Sequence, residues 1–471
     1  MAAQYRQSPV APSRGCNLTD LANPSPVVPP PIRRSPLGML IRIIRNPLEA
    51  LPAAIYHAPL THTEFLGRER FHVTDPALIQ ETLVGHADAL AKGPELRRSL
   101  GPALGEGLLT ANGAHWKWQR QSASPIFRHD RLLAYLPTML EAATETRDRW
   151  LKLPEGSQID IAHEMMHTTF DIIVETMLSG HGNIDVARVE RGITHFLEAT
   201  GWLFALSLLN LPEWTPYPGR RRTEASSGFL RETIGRILAS RRQTDSQTGD
   251  LIDMLLAASD PETGRTMSDG EIIDNLLTFI TAGHETTALG LAWTFDLLSR
   301  HPQHAERILA EIETVTGGGP IAPAHVPQFN YTRQVFQEVM RLYPPAPIIA
   351  RVTTQPFTLA GRRVPVGSMI YVPIYALHRH TALWDRPEAF DPERFAPEPS
   401  KARHRYAYLP FGGGPRICIG SGFAMLEGVA ILAALIRDVR LTSLAPQPPE
   451  PRMRLTLRPG KPLMMRVERR G

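Results

Sequence analysis

The sequence predicts a mostly α-helical fold with a minor β part, built as a single large domain. Three observations carry that expectation. Residues 131–151, 159–180, 188–209 and 226–258 repeat apolar side chains at helical spacing and are broken by turn residues. Ser268-Asp269-Gly270-Glu271 has capping-box spacing, and the apolar pattern behind it runs to Arg300, where His301-Pro302 stops it. Strand-like pieces are few and short, and neither an internal repeat nor a shift of composition marks a second domain.

Taken in order, residues 1–36 hold Pro24, Pro26, Pro29, Pro30 and Pro31 and read as a disordered or extended lead-in, leaving 37–471 as the folded domain. From Leu37 to Ile79 a short amphipathic helix is mixed with strand-like pieces such as Arg70-Phe71-His72-Val73. Glycine and proline punctuate Asp88 to Thr110, which is expected to be a loop, and a helix starts at Ala114-His115-Trp116. Trp202 to Leu209 is apolar on every side and reads as buried helix. The segment after Ser268 is about 48 Å of helix at 1.5 Å per residue, and it is apolar nearly all round, so it should be central. Its middle, Ala282-Gly283-His284-Glu285-Thr286-Thr287, combines a glycine, an acid and two threonines that weaken a helix, which predicts a functional kink. Helices follow at 303–316 and 331–342, strands near 349–353, 356–359 and 368–373, then a proline- and aromatic-rich meander from Trp384 to Phe411. Phe423 to Val439 is the last helix, and Leu455, Leu457 and Met464–Val467 are strand-like.

Composition narrows the function classes. The chain has 471 residues, 42% hydrophobic and 21% charged, an ordinary globular balance. Its two cysteines, Cys16 and Cys418, make no disulfide framework and suit a reducing, cytoplasmic setting. The formal charge of +4 comes almost wholly from scattered arginines, since there are only five lysines; no basic stripe supports nucleic-acid binding. No stretch reaches the length of an apolar membrane span, because Leu37–Leu51 carries Arg42, Arg45 and Glu49. The first 35 residues lack signal-peptide order.

The chemistry concentrates in Phe411-Gly412-Gly413-Gly414-Pro415-Arg416-Ile417-Cys418-Ile419-Gly420. Glycines let backbone approach a bulky neighbour and take positive φ, and proline stiffens the loop. N–H donors and a nearby cation hold a cysteine ionised. The loop reads as a device for presenting one sulfur anion to something large and flat; the alternative is a glycine turn with a structural cysteine. A competing motif is His163-Glu164-Met165-Met166-His167, which matches HExxH and would set two imidazoles on one helix face around zinc. Its extended form fails, because Phe170 stands where a glycine is needed. Glu338 and Arg341 are neighbours at i and i+3, and Pro392-Glu393-Arg394-Phe395 offers a second arginine.

Ala282–Thr287, Glu338…Arg341, Pro392–Phe395 and the Cys418 loop resemble the four signatures of the cytochrome P450 family, in its order and spacing. Trp116 and Arg120 resemble its WxxxR element, and the likeness spans roughly residues 37–470, nearest to the soluble bacterial type. The resemblance implies a P450 fold with haem between the long central helix and the cysteine loop with the C-terminal helix. It makes Cys418 the thiolate ligand of haem b iron, with Arg416, Trp116, Arg120 and Arg351 toward the propionates. Phe411 would pack beside the ligand, and Gly412 and Gly420 would let backbone N–H groups reach the sulfur. Ala282 and Gly283 would leave room for O2, with Glu285 and Thr286 as an acid–alcohol proton relay. Glu338, Arg341 and Arg394 would form a structural ion-pair triad.

The activity so implied is a monomeric haem monooxygenase that uses O2 to hydroxylate or epoxidise a hydrophobic small molecule. No GxGxxG unit is present and only 53 residues follow Cys418, so electrons should come from a ferredoxin or flavodoxin with its NAD(P)H-dependent reductase. A peroxide-using or rearranging enzyme and a non-catalytic haem binder are the alternatives. The pocket is expected from 88–110, 197–211, Leu276–Phe279 and Ala346–Ala350, for a fatty acid, terpenoid, steroid or polyketide.

Overall fold

In a computed structural model, which describes residues 36–65, 67–179, 186–209, 211–243, 249–260 and 263–470, helices supply most of the mass and one mixed sheet stands at the side. The lead-in expected over 1–36 lies outside the described residues except Pro36, which opens a helix ending at Arg45. The helices that build the site are α1 (Pro94–Leu104), α2 (Gly113–Ala123), α3 (Ile161–Leu178), α4 (Thr200–Leu208), α5 (Asp269–Arg300), α6 (Asn330–Leu342) and α7 (Ser421–Asp438). The strands that frame the site are β1 (Leu60–Phe65), β2 (Arg68–Val73), β3 (Leu90–Ala91), β4 (Ile349–Thr353), β5 (Met369–Val372) and the hairpin β6 (Pro451–Met453) and β7 (Leu457–Pro459), and two smaller sheets lie apart from them.

The central helix α5 starts on the predicted capping box. Ser268 Oγ accepts from the Glu271 N–H, and the Ser268 N–H donates to Glu271 Oε2 at 2.9 Å. Its apolar residues are buried on every side, with α3 alongside and α6 and α7 behind. Thr169 of α3 donates its hydroxyl to the His284 carbonyl at 2.8 Å, tying α3 to the polar middle of α5. Phe336 of α6 wedges between Gly290 of α5 and Gly428 of α7. A Cβ on Gly428 would stand 2.3 Å from its ring. Large side chain against glycine is what lets three helices meet there.

The main sheet runs β1-β2-β5-β4-β3, with β2 and β5 parallel and the other neighbours antiparallel. The β6–β7 hairpin pairs Met453 with Leu457 and lies against α5, where Trp293 Nε1 donates to the Leu457 carbonyl at 3.5 Å.

Three expectations are corrected. Asp88–Thr110 is not all loop. Pro94 opens helix α1, whose Leu100, Ala103 and Leu104 are buried, and Pro102 sits in its last turn. The helical period was hidden by Gly101 and Pro102, both tolerated close to the C-terminal end. The polar middle of α5 does not interrupt it: the helix is continuous from Asp269 to Arg300. The helix read at 188–209 is two, Val186–Glu198 and α4. Among the described residues no helix is long and apolar enough to cross a membrane.

Candidate functional site

A cavity of about 1200 Å³ lies between α5 and the Cys418 loop, and every site residue expected from the sequence lines it: Trp116, Arg120, Ala282, Gly283, Glu285, Thr286, Arg351, Phe411, Gly412, Arg416, Cys418 and Gly420. Residues separated by as much as 300 positions converge because α2, α5, β4 and the loop before α7 all end or pass at one face of the helix core.

The loop is shaped by two left-handed glycines, Gly412 at φ +76° and Gly414 at φ +69°. Gly414 admits no side chain at all, because a Cβ would stand 2.4 Å from the Leu83 carbonyl oxygen. The Cys418 N–H donates to the Phe411 carbonyl at 2.9 Å, closing the turn so that the sulfur faces the cavity. Burial pushes the thiol up from its ordinary range, while the Gly420 N–H and the charge of Arg120 oppose that push.

Beside the sulfur stands a group of cations. Arg416 donates to the Ala111 carbonyl at 2.9 Å and to Asn112 Oδ1 at 3.1 Å, and its guanidinium lies 4.3 Å from the Trp116 ring centre. Arg120 lies over the same ring at 5.9 Å. Burial, then the neighbouring guanidinium, hold Arg416 and Arg351 down to about 10. Lys92 is driven well below its ordinary value by burial and by Arg351 and Arg416. No carboxylate is among the groups that act on these four. Cations that repel one another in a buried wall call for an external anion, and guanidinium forks match carboxylates. A large planar group with acidic side arms and a soft metal centre fits this donor set. Lys92 was missed in the sequence; it is one of only five lysines and precedes Gly93-Pro94.

Across the cavity, Ala282 presents its methyl group to the open space. Gly283 does something further: a Cβ there would meet Ile173 of α3 at 2.6 Å, so this glycine also permits the close approach of α3. The Thr286 hydroxyl donates to the Ala282 carbonyl at 2.8 Å. Glu285 is 2% exposed and does not stand free; its Oε1 accepts from Arg458 Nε and from the Thr456 hydroxyl, each at 2.6 Å. Thr456 and Arg458 were not singled out in the sequence, because nothing local signals that the β6–β7 hairpin reaches the middle of α5. The expected pocket segments contribute Leu96, Leu100 and Leu104 from α1, Phe204 from α4, Thr278 and Phe279 from α5, and Ile348 to Ala350.

The other motifs lie elsewhere. Glu338 and Arg341 are fully buried and paired through both guanidinium edges at 2.6 and 2.7 Å, while Arg394 stands 3.5 Å from the same carboxylate. Arg341 also donates to the carbonyls of His378, Pro387 and Ala389, so the triad pins the meander that leads to the cysteine loop. The HExxH motif is spent on local contacts: Glu164 accepts from Trp150 Nε1 at 2.7 Å, and His167 pairs with Asp171 at 3.2 Å. Among the described residues no group of three or more metal-ligating His, Cys, Asp or Glu side chains forms, so the zinc reading falls.

The profile of the cytochrome P450 family matches residues 55–467. Cyclooctatin synthase of Streptomyces melanosporofaciens is 34% identical over 92% of this chain and 94% of that protein. Cyclooctat-9-en-7-ol 5-monooxygenase of the same organism is 32% identical over 86% and 87%. Human cytochrome P450 4A11 is 32% identical over 86% of this chain and 80% of its own. Among solved structures, the haem domain of cytochrome P450DA superposes with a TM-score of 0.77 at 26% identity, covering 88% of this chain and 90% of that one.

Proposed function

The chain belongs to the cytochrome P450 family and is a haem-dependent monooxygenase of hydrophobic small molecules, fed with O2 and with electrons from redox partners; from that premise we propose how its own residues divide the work. Cys418 is the thiolate ligand of the haem iron, and Arg120, Arg351, Arg416 and Lys92, with Trp116 between two of them, neutralise its carboxylates. When bound, the haem supplies O2 activation at an iron whose sulfur ligand favours O–O cleavage. Phe411 covers one side of the sulfur, and Gly412 and Gly420 keep backbone close to it. Ala282 and Gly283 keep the opposite wall thin. Thr286, whose hydroxyl oxygen keeps lone pairs for water while it donates to Ala282, positions the last proton donor. Glu285 is held in place by Arg458 and Thr456 and orders that water.

The observation that carries this reading is the convergence of one cysteine, four cations without an acid, and Thr286 on a single cavity. The domain spans 37–471, acts as a cytoplasmic monomer, and takes electrons from a ferredoxin or flavodoxin with its reductase. A relative named for acting on cyclooctat-9-en-7-ol favours a cyclic apolar substrate.

Reconstitution with such a donor, its reductase, NAD(P)H and isotopically labelled O2 tests the reading. Candidate apolar substrates are first ranked by the spin-state change they induce. The expected result is substrate-dependent NAD(P)H consumption and one labelled oxygen atom in the product. Unlabelled product, or consumption indifferent to substrate, would overturn it.

A further inference from the structure

Residues 274, 278 and 282 fall on one face of α5, and the last two, Thr278 and Ala282, line the cavity. The first is an acid, Asp274, only 8% exposed. Its Oδ2 accepts from the Glu106 N–H at 2.9 Å, in the turn between α1 and α2. Its Oδ1 accepts from Arg231 Nη1 at 2.6 Å, and the same nitrogen donates to the Ala103 carbonyl at 3.1 Å. Arg231 belongs to the helix Arg220–Gln243, which packs on both α5 and α1. Asn275 adds a second hold. Its Oδ1 accepts from the Leu108 N–H at 3.0 Å, while its Nδ2 donates to the Glu271 carbonyl at 2.9 Å. Gln119 of α2 donates to the Glu106 carbonyl at 2.8 Å, which ties the turn to the helix carrying Trp116 and Arg120.

The turn comes this close because it lacks side chains where it meets α5. A Cβ on Gly105 would stand 2.1 Å from Asp274 Oδ2. One on Gly107 would stand 2.3 Å from Thr278 Oγ1 and 2.6 Å from the Asp274 carbonyl oxygen. Around this turn stands an apolar wall: Leu96, Leu100 and Leu104 of α1, then Leu108 and Leu109, all line the cavity. Their distance from α5 is set by one carboxylate and one amide. We propose that Asp274, with Asn275 beside it and Arg231 balancing its charge, is a positioning residue for substrate. It fixes the leucine wall against α5, so the cavity favours bulky, rigid apolar molecules that fill the space up to that wall. A charged acceptor holds a backbone N–H more tightly than a neutral one, and Arg231 offsets the cost of keeping the carboxylate from water. Apolar contacts discriminate only modestly, and they do so best when their supports are rigid. The inference rests on the monooxygenase reading of the cavity and narrows its substrate class.

Imidazole and its bulky triphenylmethyl derivative clotrimazole, titrated against the resting holoprotein by visible spectroscopy, test this without turnover. Both bind through the same kind of nitrogen, and only clotrimazole carries rings to press on the leucines. In Asp274→Ala the preference for clotrimazole over imidazole should fall by about tenfold. Imidazole affinity, haem content and the thiolate-type carbon monoxide spectrum should stay as in the wild type. Adding Arg231→Ala should lower the preference no further, because both side chains serve one clamp. The Glu106 amide should exchange its hydrogen faster in both variants. Gly107→Ala keeps every side chain of the clamp but lifts the turn by contact. It should lower the preference in the same way, and it decides the question should Asp274→Ala fail to fold. An unchanged preference, or an equal loss of both ligands, would overturn the proposal. Failure of the monooxygenase reading would look different, since the wild type itself would then show no azole-induced spectral shift.

Discussion

At the scale of single residues, the site is defined by what its side chains leave unpaired. Lys92, Arg120, Arg351 and Arg416 stand together without an acid, and in the helix core behind them Glu427 of α7 is buried without a cation. Both arrangements are costly in an isolated protein and acceptable only where a bound group or a held proton removes the charge. The Glu427 carboxyl makes this measurable. Its folded value of about 8 lies above the ordinary 4.5, so the folded state binds a proton that the unfolded chain releases between those values. The stability it contributes is therefore complete below about pH 4.5 and is lost as pH rises toward 8. Glu427→Gln has no such term. Wild type minus variant, measured by denaturant unfolding, should fall by a few kcal/mol across that window; a difference independent of pH would contradict a protonated Glu427.

Among the elements, α5, α6 and α7 meet where Phe336 fills the space left by Gly290 and Gly428. Gly428→Val should cost about 1–3 kcal/mol through overpacking and lower the melting temperature. Gly101→Ala in α1, where a Cβ meets nothing within 4 Å, should instead stabilise by about 0.5–1 kcal/mol. Equal effects of the two substitutions would mean that Phe336 is not the wedge. Legibility from sequence also divides by element. The capping box at Ser268 and Glu271, the stop at His301 and the glycine loop around Cys418 are local chemistry, so they could be read directly. Helix α1 could not, because Gly101 and Pro102 outweigh its apolar period in any local reading. Helix α5 stays continuous through Ala282–Thr287, where tertiary contacts, among them Thr169 to the His284 carbonyl, support the weak residues.

For the whole molecule, the candidate site was legible to the extent that its chemistry dictates residue types. A thiolate loop, guanidinium forks and a hydroxyl beside an acid leave marks that survive in one dimension. Partners supplied by distant segments leave none: Arg458 lies 173 positions from Glu285, and only the placement of the β6–β7 hairpin joins them. Glu427 did leave a mark, a lone acid in the apolar run Ala424-Met425-Leu426-Glu427-Gly428-Val429-Ala430, and it went unused because no motif includes it. Fold and site meet in one requirement, that the core deliver the sulfur, the cations and the hydroxyl to a single cavity. The carbon monoxide difference spectrum of the reduced protein tests this most directly. The wild type should show the red-shifted band of thiolate-ligated haem, and Cys418→Ser should lose that band while the variant still folds. A Cys418→Ser protein that keeps it would contradict the assignment of Cys418 and the organisation of the cavity around it.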